Sequence, residues 1–245
     1  MRNIKLEIAY LGTNYRGMQS QPAGGTIQDV LEKFLAQVCG EKIRIAASGR
    51  TDAGVHALKQ VVSFRTKGVI PCPNILRAAV SLLPKDIAVL NAEEMPEDFH
   101  ARFSAKSKEY IYKISALPGP NPFLYDRCWL LGEKLDLAKM NEAAKLLIGE
   151  KDFAAFCSSG SDNTTTVRRV DGVEFVQKGN MIEFHILANG FLYHMVRNLV
   201  WSLVQVGLDK RSVTEFQNQL NSPRNAFESS PAPAGGLYLY KVNYE

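Results

Sequence analysis

Two hydrophobic periods alternate through the first hundred residues, and that alternation restricts the fold more than any other feature of the chain. Ile4 to Tyr10 alternates at period two, as a half-buried strand does. Thr26-Ile27-Gln28-Asp29 then opens a helix. Thr26 suits an N-cap and Asp29 suits the positive first turn. Ile27, Val30, Leu31, Phe34, Leu35 and Val38 follow at helical spacing, and Gly40 ends the run. The β-branched runs Lys42-Ile43-Arg44-Ile45 and Gln60-Val61-Val62-Ser63-Phe64 predict two strands. A second helix starts near Pro73, carries Ile75, Leu76, Ala79, Leu82 and Leu83, and stops at Pro84, and Asp86 to Leu90 is a further strand. The order β-α-β-β-α-β is the split, ferredoxin-like unit.

Residues beyond 104 repeat this plan with longer loops. Strands are expected at Glu109–Ile114, Val167–Val176, Met181–Leu187 and Leu237–Val242. Helices are expected at Leu135–Ile148, at about Phe191–Val206 and at Val213–Leu220. The expectation is an α+β protein of two ferredoxin-like βαββαβ halves, residues 1–104 and 105–245. Their mostly antiparallel sheets would merge, with helices on one face and an active-site cleft between the halves. The polar stretch Cys157 to Thr166 and the Pro/Ala-rich Ser229 to Gly236 read as mobile loops.

Composition narrows the class. Of 245 residues, 46% are apolar, enough for a real core, and no run approaches the roughly 20 apolar residues that span a bilayer. Met1 to Glu7 has no apolar signal segment, so a cytoplasmic protein with no membrane partner is expected. Cys39, Cys72, Cys128 and Cys157 are scattered without a Cys-x-x-Cys, which argues against a zinc ribbon or a disulfide scaffold. The net charge of +4 is compatible with RNA binding without establishing it. Lys106 and Lys108, Arg168-Arg169 and Lys210-Arg211 are local basic clusters whose plainer reading is solvated surface.

The stretch Ala47-Ser48-Gly49-Arg50-Thr51-Asp52-Ala53-Gly54-Val55-His56-Ala57 reads either as an ordinary turn, the more common case for Arg-Thr-Asp taken alone, or as a loop that carries chemistry. It joins two strands as a loop with Gly49 and Gly54 as hinges, and Arg50 and Asp52, two apart, can project to one side. Arg197 lies in a helix that is apolar nearly all round, where it either reaches the surface, makes a structural ion pair, or serves a site, since a buried guanidinium needs a carboxylate. Asp52 is the attractive partner, because an adjacent Arg would hold it ionised. Tyr110, on a strand after Lys106-Ser107-Lys108, is either a core tyrosine or a platform for a flipped base, and Tyr112 shares its strand parity. Leu237 is either plain core or an apolar pocket wall.

Ser48 to Ala57 resembles the signature of the bacterial tRNA pseudouridine synthase A family. Other segments follow in that family's order: Leu6 to Thr13, Phe99 to Ala105, Gly190-Phe191-Leu192, Met195 to Asn198 and Ala232 to Leu239. The family commonly has Trp where Met18 stands and Gly where Trp201 stands. The resemblance implies an isomerase converting uridine to pseudouridine at positions 38, 39 and 40 of the tRNA anticodon stem-loop. It implies Asp52 as nucleophile, Arg197 as its partner, and Tyr110 stacking on the target uridine. Leu237 would line the pocket, and Arg50 would help extrude the base and fill its place. The implied enzyme is a homodimer that cradles tRNA and uses no cofactor and no metal.

Such an isomerisation breaks the C1′–N1 bond, turns the uracil and joins C5 to C1′ with no net redox change. A carboxylate could attack the sugar or the base, or remove a sugar proton. Freed uracil must be retained, and a uridine in a stem must first be unstacked. Two other readings compete. A noncatalytic RNA-binding protein would display stacked aromatics on its central strands. A metal-dependent hydrolase would use Asp52 and His56, and His100, His185 and His194 are isolated from them.

Overall fold

The computed structural model describes residues 1–160, 164–223 and 230–245. The strands are β1 (Arg2–Tyr10), β2 (Ile45–Ala47), β3 (His56–Thr66), β4 (Ile87–Met95), β5 (Ser107–Ser115), β6 (Trp129–Leu130), β7 (Gly149–Asp152), β8 (Val167–Lys178), β9 (Met181–Ala188) and β10 (Leu237–Asn243). The helices are α1 (Ile27–Cys39), α2 (Cys72–Leu82), α3 (Leu137–Lys145), α4 (Met195–Gly207) and α5 (Val213–Leu220). The α+β class is therefore as expected. The chain forms two compact units, Met1–Lys106 with Tyr238–Glu245, and Ser107–Leu237. The final strand, expected in the C-terminal half, thus returns almost wholly to the first unit.

In the first unit the strand order is β4-β1-β3-β10, with β2 on the same edge of β3 as β10. β1 runs antiparallel to β3 and β4, whereas β10 is parallel to β3 through Tyr238 and Leu239 opposite His56 and Ala57. Period two on β1 buries Ile4, Leu6, Ile8 and Tyr10 on one face, and α1 adds Ile27, Leu31, Phe34 and Leu35 to the core. Thr26 is the N-cap as expected, and Asp29, expected only as charge in the first turn, completes a capping box with it. Gly40 ends α1 at φ 71°, where a residue with a Cβ would be strained. The opposite sheet face is covered by the chain after β4. Asn3 Nδ2 donates to the Pro96 and Phe99 carbonyls, and Ser63 Oγ accepts the Ala101 N–H.

In the second unit the order is β5-β9-β8-β7, antiparallel throughout, with short β6 parallel on β5. β6 and β7 are absent from the sequence expectation, being too short to show a period. α3 is shorter than expected, because Asp136 caps it by accepting the Lys139 N–H. α4 starts at Met195 rather than near Phe191. His194 stands at φ 60°, left-handed backbone that cannot continue a helix, and Leu192 O accepts the Met195 N–H. α5 has the expected bounds. Of the two segments expected to be mobile, residues 161–163 and 229 lie outside the described residues.

Candidate active site

The loop between β2 and β3 is shorter than the sequence suggested, because β3 already begins at His56. Its backbone is fixed from several sides. Ser48 N–H donates to Val61 O at 2.8 Å, and Gln60 Nε2 donates to Gly49 O at 3.0 Å. Thr51 O accepts the Met18 N–H at 3.0 Å, and Thr51 Oγ1 shares a 2.7 Å hydrogen bond with the buried Tyr10 hydroxyl. Burial pushes the Tyr10 phenol up to about 12, its bond to Thr51 offsetting part of that rise. Val55 N–H closes a turn on Asp52 O at 3.1 Å with Gly54 at φ 78°, as a type II turn requires at its third residue. Gly49 has no positive φ, so Gly54 alone acts as the expected hinge.

These anchors orient the side chains. Thr51 turns inward and is buried, Asp52 is half-buried and Arg50 is exposed. The segment before α1 clamps the loop from outside. A Cβ at Gly12 would meet Val55 O at 2.0 Å, and one at Gly17, itself at φ 89°, would meet Thr51 O at 2.7 Å. Met18, in the place where the family commonly has Trp, is buried, and it is its backbone N–H that holds the same loop. His56 is buried, and its Nδ1 accepts the Gly12 N–H at 2.9 Å while its ring packs 4.7 Å from that of Tyr238. That nitrogen is committed to holding the Gly12 backbone, a structural task rather than a metal ligand's. Among the described residues no group of three or more His, Cys, Asp or Glu could hold a metal ion.

The second unit carries Tyr110, Arg197 and Leu237. Tyr110, on β5 opposite Ile186 of β9, is buried, and the Phe191 ring meets it edge-on at 4.9 Å. Tyr112 resolves the parity ambiguity in favour of a structural role. It is fully buried and its hydroxyl donates to Pro233 O at 2.7 Å, with burial driving its pKa far up. A Cβ at Gly236 would lie 2.5 Å from the Tyr112 ring, so only glycine fits there. Arg197, in the first turn of α4, is half-buried; its Nε donates to Ala232 O at 2.7 Å while Ala232 N–H returns to Arg197 O at 3.2 Å. Arg197 and Tyr112 thereby hold successive residues of the segment that leads to buried Leu237. Trp201, where the family commonly has Gly, receives the Arg211 guanidinium 5.7 Å over its ring.

Sequence reasoning missed Tyr10, Gly12, Phe191 as a partner of Tyr110, and Pro233. Gly12 sits in a quoted motif, yet nothing local shows that its missing side chain admits the Val55 carbonyl. A noncatalytic RNA-binding sheet is expected to show stacked aromatics, and among the described central strands only Tyr240 on β10 is an exposed aromatic. No exposed aromatic stands on β1, β3, β5 or β9, all of which lie among the described residues.

The sequence pattern of the tRNA pseudouridine synthase family matches residues 8–104 and 143–245. Among individual relatives, "tRNA pseudouridine synthase A" of Thermoanaerobacter sp. (strain X514) is 41% identical over 244 residues, covering 100% of both chains. Those of Acetivibrio thermocellus (strain ATCC 27405) and Anoxybacillus flavithermus (strain DSM 21510 / WK1) are each 41% identical, over 244 and 246 residues, again covering 100% of both chains. The match takes in the Asp52 loop, α4 with Arg197 and the final strand, and the chain belongs to the tRNA pseudouridine synthase family.

Proposed function

We propose that this protein isomerises uridine to pseudouridine at positions 38, 39 and 40 of the tRNA anticodon stem-loop, with Asp52 as nucleophile and no cofactor. One observation carries the assignment of Asp52. The loop bearing it matches the family signature, and its backbone is anchored on both sides of the carboxylate by Thr51 and Val55, while the side chain is left half-buried. Pre-set geometry of this kind removes an entropic cost from the chemical step. Tyr110 stacks on the target uracil, Leu237 walls its pocket, Arg197 is the charge partner of Asp52, and Arg50 enters the stem where the base has left. These four roles rest on the motif matches. Arg50 is suited to its task by exposure, and Leu237 by burial at the end of a segment tied down by two side chains. Attack on C1′, attack on the base and removal of a sugar proton all use the same carboxylate. The enzyme works in the cytoplasm as a homodimer cradling its tRNA, and no described helix is long and apolar enough to cross a membrane.

The test is incubation with an unmodified tRNA transcript, without metal or nucleotide, followed by mapping of pseudouridines. Wild type is expected to convert anticodon-arm uridines. Asp52→Asn, which keeps shape and removes charge, is expected to lower the single-turnover rate by about 10³-fold or more. A wild type that binds the tRNA and leaves all three positions unchanged defeats the assignment, and full activity in Asp52→Asn defeats the role of Asp52.

A further inference from the structure

Two adjacent arginines on β8 have opposite electrostatic situations. Arg169 is exposed, and its Nε donates to Asp171 at 2.7 Å. Arg168 is half-buried, and its Nη1 donates to the carbonyls of Thr165 at 3.0 Å and Val167 at 2.7 Å. Among the described residues no carboxylate pairs with it. A guanidinium presents five donors in a planar fork. Neutral carbonyls satisfy one nitrogen and leave the charge uncompensated, a costly state for a group partly withdrawn from water. The lowering of the Arg168 pKa by burial is the same cost in another form. Such an arginine is suited to an anion that arrives from solution, and the fork matches a phosphodiester.

Its location says which phosphodiester. The position of a Cβ at Gly190 lies 3.6 Å from Arg168 Nε, so the guanidinium runs alongside Gly190. The next residue, Phe191, packs its ring against Tyr110 at 4.9 Å. The neighbouring backbone is rigid, because Asn189 and Arg169 exchange hydrogen bonds of 3.0 Å through Asn189 N–H and Oδ1. Arg168 therefore stands one residue from the aromatic that supports Tyr110, in the same unit. We propose that Arg168 is a phosphate-binding residue, holding a backbone phosphodiester of the tRNA next to the nucleotide engaged by Tyr110. The inference rests on the function proposed above and adds a contact to it. Held there, the phosphate helps offset the unstacking of the target base.

The test uses the unmodified tRNA transcript and the full-length protein, with affinity measured over a range of KCl concentrations. Arg168→Gln is expected to bind about tenfold more weakly near 0.1 M salt, with the slope of log affinity against log salt smaller by about 1. Arg168→Lys restores the slope but only part of the affinity, since a point charge does not reproduce the fork. Arg169→Gln, whose partner is Asp171, leaves both unchanged. A transcript with methylphosphonates flanking the target uridine weakens wild type and leaves Arg168→Gln indifferent. If Arg168→Gln shows wild-type affinity and slope, or remains as sensitive to the methylphosphonates as wild type, the phosphate contact is wrong while the function stands. A wild type that neither binds nor modifies the transcript overturns both.

Discussion

With the short β6 and β7 set aside, the two units carry the same β-α-β-β-α run, yet they differ in the segments that bear the candidate residues. β1–α1–β2–β3–α2 in the first unit corresponds to β5–α3–β8–β9–α4 in the second, and β3 and β9 occupy equivalent central places. The hairpins diverge most. β8 and β9 are joined by a tight turn in which Gly179 stands at φ 62°, as the first central position of a type II′ turn requires. β2 and β3 are joined by the anchored loop that carries Arg50 and Asp52. The second helices diverge in the opposite sense. α2 buries Ile75 and Ala79 and leaves Val80 87% exposed, whereas α4 is buried nearly all round and carries Arg197. One scaffold, used twice, has been elaborated in its hairpin in one copy and in its helix in the other. Of the residues with proposed roles, Arg50 and Asp52 lie in the first unit and Tyr110, Arg197 and Leu237 in the second.

Arg197 offers the largest way to break that division of labour. Its guanidinium has a demonstrated task, holding Ala232 O, besides its proposed one as partner of Asp52. Arg197→Ala is expected to lower the single-turnover rate by about 10²–10³-fold, the usual scale for losing one well-placed charged donor. Arg197→Lys is expected to recover less than tenfold of that, because an ammonium does not reproduce the Nε–H that reaches Ala232. Full recovery by Lys would show that charge alone matters and that the hold on the Leu237 segment is incidental. Wild-type activity in the Ala variant would remove Arg197 from the site.

The scaffold was legible in sequence for local reasons. Thr26 and Gly40 mark the ends of α1 because capping and left-handed backbone act over three or four residues, and α5 was bounded correctly for the same reason. β7 was missed because four residues cannot display a period, and the start of α4 was missed because nothing in Tyr193-His194 announces a left-handed histidine. The candidate site is legible only as a string. Asp52 and Arg50 stand out in Ser48 to Ala57. The contacts that hold them, from Tyr10, Gly12 and Met18, come from residues thirty or more positions away, and no periodicity encodes such contacts.

In each unit, glycines admit a segment that bears a candidate residue, and Gly12 and Gly236 make the closest approaches. Alanine at Gly12 would drive a Cβ to within 2.0 Å of the Val55 carbonyl, and alanine at Gly236 to within 2.5 Å of the Tyr112 ring. Overpacking of this kind costs about 1–3 kcal/mol. The two differ in what must yield. At Gly12 it is the backbone of the Asp52 loop, so turnover is expected to fall together with melting temperature. At Gly236 the obstacle is a side chain, and the first loss is stability. Thermal melts run beside single-turnover rates check this, and a Gly12→Ala enzyme with unchanged turnover would show that the loop tolerates displacement.

The smallest effects belong to two buried phenols that do parallel work. Tyr10 binds Thr51 beside Asp52, and Tyr112 binds the Pro233 carbonyl ahead of Leu237, each at 2.7 Å. Phenylalanine at either position removes one hydrogen bond, an expected loss of about 1 kcal/mol in chemical denaturation. Tyr10→Phe leaves the buried Thr51 hydroxyl without that partner and should be the costlier of the pair, because the Pro233 carbonyl keeps the Gly236 N–H at 3.3 Å. Alkaline pH adds a signature for Tyr10. Its folded pKa, pushed up to about 12 by burial, lies above the ordinary phenol value near 10. The folded state therefore favours the neutral phenol. That contribution to stability is complete below about pH 10 and drains away as pH climbs through about 12. Tyr10→Phe should flatten this part of the stability profile relative to wild type. An identical alkaline decline in both proteins would mean that Tyr10 is not the group responsible, and that the hydroxyl beneath the Asp52 loop is more accessible to water than its burial indicates.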